Sequence, residues 1–139
     1  MSGHQPNQPL PEPPAGFALG IDEFNRGEFF QCHETLEAVW NEQRTDEGGQ
    51  LPRELTQGII QIAVAYYHFL RDNHVGALKL LKRGLERIDR VAQKHPFAYG
   101  LDLQKLSREV SNTITEIGQP QAAGFKNPVR IPQIEYLAD

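Results

Sequence analysis

Residues 52–70, Pro-Arg-Glu-Leu-Thr-Gln-Gly-Ile-Ile-Gln-Ile-Ala-Val-Ala-Tyr-Tyr-His-Phe-Leu, decide how this chain folds. Leu55, Ile59, Ile62, Tyr66 and Phe69 recur at three- and four-residue steps, the spacing that gathers side chains on one face of an α-helix. Pro52 suits the first helical turn, where a missing amide hydrogen costs nothing. The most apolar part, Ile59 to Leu70, holds Gln61 and His68 and falls well short of the ~20 apolar residues that cross a bilayer. It therefore reads as the central buried helix of a bundle, with no membrane role.

The flanking segments follow the same period. Phe17, Ile21 and Phe24 mark a short helix that stops at Asn25-Arg26-Gly27, where glycine suits the left-handed position after a helix end. A second helix begins at Glu28 and carries the stripe Phe29, His33, Leu36 and Trp40; its acidic first turn matches the positive end of the helix dipole. Thr45 to Gln50 reads as a loop. A fourth helix follows Asn73 with Leu78, Leu81, Leu85, Ile88 and Ala92, ended by Pro96, and a fifth runs from about Leu101 to Ile117. No stretch sustains the alternation of a strand. The expected fold is all-α: a single bundle of about five helices, built from two antiparallel hairpins, over residues 17–118.

Composition frames that body. The chain has 139 residues, 18 acidic and 14 basic side chains, ten prolines and one cysteine, which fits one domain. Five prolines crowd into residues 1–16, expected to form a disordered arm, and Pro120, Pro128 and Pro132 break residues 119–139, expected to form an extended tail. Lone Cys32 cannot form an internal disulfide, and the start lacks a basic segment followed by an apolar core; both point to a reducing, cytoplasmic setting. Charge is unevenly placed. Residues 22–54 hold nine acids and three bases, whereas residues 72–94 hold six bases and three acids. The basic fourth helix has no interleaved aromatics for base stacking, so nucleic acid is not the expected partner, and a homodimer or another protein remains the partner class.

One string carries candidate chemistry. His33 and Glu37 lie one helical turn apart in Phe29-Phe30-Gln31-Cys32-His33-Glu34-Thr35-Leu36-Glu37, so both reach one ion or ligand. Glu37 stands where the His-Glu-x-x-His protease motif needs its second histidine, which rejects that class. His33 interrupts an apolar stripe and is expected to point inward. Gln57, Gln61 and His68 make a polar line along the central helix, expected to face it. In the sharper reading His33, Glu37 and His68 hold a divalent metal such as zinc or manganese. Gln57 and Gln61 then support those ligands by hydrogen bonds, or His33, Glu37, Gln57, Gln61 and His68 instead bind a small polar ligand, and Glu34 is the candidate catalytic base. In the plainer reading the same groups only hydrogen-bond one another and fix helix register. Cys32, about 100° around the helix from His33, reads as an inert buried thiol.

Phe24, Asn25, Gly27, Phe29, Phe30, His33, Glu34, Glu37 and Trp40, then Gly58, Ile59, Ile60, Gln61, Ala63, Ala65 and His68, then Asn73, Gly76, Ala77 and Leu80 resemble the signatures of the domain of unknown function family 309. The likeness spans about Phe24 to Leu85. Gln31 stands where the family pattern has a glutamate. The resemblance implies a compact helical bundle with a polar His/Glu cluster and supplies no reaction.

Overall fold

The computed structural model describes residues 10, 12–43, 50–118 and 130–137. The N-terminal part of the expected arm, the expected loop at 45–49 and residues 119–129 of the expected tail lie outside these. Five α-helices follow in order: α1 (Phe17–Asn25), α2 (Phe29–Glu42), α3 (Leu51–Leu70), α4 (His74–Ala92) and α5 (Leu103–Gly118). Helices α1 and α2 form one hairpin, α3 and α4 a second, and α5 packs on α4. No strand occurs among the described residues; Leu101 and Tyr136 make one isolated bridge. Among the described residues no helix is long and apolar enough to cross a membrane.

The punctuation residues act as their chemistry requires. Gly27 takes φ 79° at the α1–α2 turn, a conformation in which a Cβ would be strained. The Asn73 side chain accepts the Gly76 amide at 3.0 Å, capping α4 and satisfying one of its orphan donors. The short 3-10 turn Ala98–Gly100 before α5 was not legible in the sequence; Tyr99 adopts φ 55° there. Its ring meets Phe17 edge-on at 4.9 Å and its hydroxyl accepts from Gln43.

The dry core lies where α1 and α2 cover α3. Phe24, Phe29 and Tyr66 meet at centroid separations of 5.2, 5.8 and 6.2 Å, in the range of favourable tilted and edge-to-face pairs. The buried Tyr66 hydroxyl donates to Thr113 at 3.1 Å, which ties this core to α5, and burial pushes its pKa up. Helices α3 and α4 approach closely at two glycines: a Cβ on Gly84 would stand 2.7 Å from Ile62 Cγ1 and 3.0 Å from the Gly58 carbonyl.

The described tail returns to its own chain. Ile134 is buried, and its amide donates to Asn25 Oδ1 at 2.7 Å while its carbonyl accepts from Asn25 Nδ2 at 2.9 Å. Gln133 donates to the Asn25 carbonyl at 2.8 Å. Asn25 thus holds the tail against the end of α1.

Candidate functional site

The inward line of α2 is Phe29, Cys32, Leu36 and Val39, which shares Phe29 and Leu36 with the stripe expected from the sequence but has Cys32 and Val39 in place of His33 and Trp40. Cys32 is fully buried, whereas the His33 side chain is 34% exposed at the edge of the core. Burial, with Glu23 nearby, pushes the Cys32 thiol pKa up to about 12, which removes the thiolate that nucleophilic chemistry needs. Glu23 itself went unnoticed in the sequence: it is 9% exposed, and its Oε1 is buried with no hydrogen-bond partner.

His33 opens instead onto a cleft of about 440 Å³, within the size range of small-ligand sites. Helix α2 supplies His33, Glu37 and Trp40; α3 supplies Arg53, Glu54, Gln57 and Ile60, with Gln50 just before it; α4 supplies Arg87. The antiparallel crossing of α2 and α3 explains the set, because it brings Trp40 beside Arg53 at one end and Phe30 beside Tyr67 at the other. His33 Nε2 and Glu37 Oε2 pair at 3.0 Å across one helical turn.

Arg87 fastens the opposite wall. Its guanidinium pairs with Glu54 and donates through Nε to Gln61 Oε1 at 3.1 Å, and Arg90 takes the second Glu54 oxygen. The acidic segment 22–54 and the basic segment 72–94 are therefore joined between α3 and α4. Arg53 is held differently. Its guanidinium carbon lies 3.6 Å from the centroid of the Trp40 ring, a cation–π geometry, and its Nε is buried with no hydrogen-bond partner.

The structure brings together three of the expected site residues, His33, Glu37 and Gln57, and reaches Gln61 through Arg87. His68 is not among the residues lining the cleft. It shares the angular position of Gln57 and Gln61, but seven residues beyond Gln61 place it about 10 Å further along the axis, where its ring sits beside Tyr67. The expected set of His33, Glu37 and His68 does not assemble, and among the described residues no group of three His, Cys, Asp or Glu side chains could hold a metal ion. Glu34 is exposed and is not among the residues lining the cleft. Trp40, Arg53, Glu54 and Arg87 were missed because isolated charged and aromatic positions read as ordinary surface or core; the one available signal was the opposite sign of Glu54 and Arg87 in the two helices of one hairpin.

Two comparisons bear on this site. Residues 17–80 match the family model described as Domain of unknown function (DUF309), a span that holds every lining residue of the cleft except Arg87. The uncharacterized protein YpuF of Bacillus subtilis (strain 168) is 31% identical over 90 residues, covering 65% of this chain and 49% of that protein. The chain thus spans about half the length of this curated relative.

Proposed function

We propose, for a chain whose residues 17–80 match the DUF309 family model, whose description assigns no activity, that the cleft between α2, α3 and α4 binds a small monocarboxylate. One observation carries this reading: the buried Arg53 Nε has no acceptor, and an orphaned buried donor costs about 1–3 kcal/mol. A carboxylate set side-on to Arg53 would accept from Nε and a terminal nitrogen together, the fork geometry that makes such pairs strong. Gln57 and Gln50 offer amide donors beside it, and Ile60 gives the ligand an apolar contact. Glu37 and Glu54 line the same cleft; they favour a singly charged acid over a phosphate, whose second charge they would repel.

Titration of the protein with acetate and benzoate, followed by the Trp40 indole and Arg53 Nε resonances, tests this. Both should shift saturably at millimolar ligand, and Arg53→Gln should abolish the Trp40 response while leaving the fold intact by circular dichroism. An unmoved Trp40 signal, or one that moves equally in the variant, refutes the reading. The closed set of Arg87, Glu54, Gln61 and Arg90 favours a second reading, in which the cluster serves only to fix the α3–α4 register. In that case Arg53→Gln alters stability alone.

A further inference from the structure

Helices α2 and α4 flank α3 on the cleft side and carry opposite charge on their exposed surfaces. On α2 the exposed residues Glu34, Glu37 and Glu42 accompany Phe30, itself 49% exposed. On α4 Lys79, Lys82, Arg83 and Arg90 are exposed with one acid, Glu86, exposed Lys94 follows just past its end, and Val75 at its start is 74% exposed. Both helices run antiparallel to α3, hence parallel to each other. Trp40 is level with Arg53, and neighbouring Glu54 is level with Arg87 and Arg90. Counting back at 1.5 Å per residue puts Glu34 level with Arg83 and Phe30 level with Lys79.

We propose that this face is the docking surface for a second copy of the chain, packed about a twofold axis running along α3, with Glu34 of each copy opposite Arg83 of the other. Such an axis exchanges left and right without changing height, so α2 lies over α4 twice, as an isologous interface requires. Phe30 then comes level with Lys79 of the second copy and within about a turn of its Val75, burying exposed apolar surface. Glu37 meets Glu86, but keeps His33 as its own partner and has Arg83 and Arg90 of the second copy on either side. A polyanion fits this face less well, because the carboxylates of α2 lie beside the bases. A partner must present the two signs in reversed order, which the chain itself does.

The test is mass by light scattering across micromolar concentrations at low and high salt, on the full chain and three variants. The wild type should be a dimer that dissociates as salt rises. Arg83→Glu and Glu34→Arg should each weaken dimerisation by at least about tenfold, and the combined E34R/R83E chain should recover it. Both positions are exposed, so unchanged far-UV circular dichroism should confirm that the variants fold, with any fall in melting temperature limited to the loss of dimer-linked stability. A wild-type monomer at every concentration overturns the proposal, as does a dimer indifferent to Arg83→Glu or a double variant without recovery. Nucleic acid bound by the wild type and released by Arg83→Glu overturns it too, and assigns the face to a polyanion.

Discussion

On one side of α3, Ile59, Ile62 and Tyr66 are fully buried, and rings from α1 and α2 interlock with Tyr66. On another, Arg53, Gln57 and Gln61 are half-buried, with Gln61 accepting from the Arg87 guanidinium and the Arg53 guanidinium lying over the Trp40 ring. The same helix thus has a dry side, where removing atoms leaves a void, and a wet side, where water can replace a lost partner. The difference teaches where the fold is held and where the surface is free to bind. Phe24→Ala should be the most damaging change, lowering stability by about 3–5 kcal/mol in denaturant unfolding, because the ring leaves a cavity among Phe29 and Tyr66. A loss of less than 1 kcal/mol would erase the contrast between the two sides.

Arg87→Met removes the hub of the wet side. Glu54 keeps Arg90, Gln61 loses its donor, and solvent reaches the site, so the cost should be about 1 kcal/mol. A loss as large as that of Phe24→Ala would make the cleft wall part of the core. The smallest effect at neutral pH belongs to Cys32, which should resist thiol reagents until the protein unfolds. Its folded pKa lies above the ordinary thiol value, so the unfolded chain loses this proton first as pH rises. Stability should therefore fall between about pH 9 and 12, more steeply than in Cys32→Ala. Equal slopes in the two proteins would count against a buried neutral thiol.

The helical pattern was readable because long amphipathic stretches leave few alternatives, and Gly27, Pro52 and Asn73 each mark a helix end for a local backbone reason. The site was less readable. Along α2 two stripes compete, Phe29-His33-Leu36-Trp40 and Phe29-Cys32-Leu36-Val39, and they differ by a rotation smaller than the width of a buried face. Cys32 and Val39 are the better core residues, and the structure buries them. For His68, periodicity gives the angle around a helix and says nothing of which neighbour stands at that height. Arg53 and Arg87 matter through residues of other helices, and such pairings depend on inter-helix register, which no single segment encodes.

The clasp between Asn25 and Ile134 also orders events in time. Each hairpin can form from neighbours close in sequence, whereas this clasp joins positions 109 apart. At a synthesis rate of ~5–20 residues per second, Asn25 waits on the order of ten seconds for its partner. Through that interval the end of α1 stays open on the growing chain, and its closure is among the last steps of maturation.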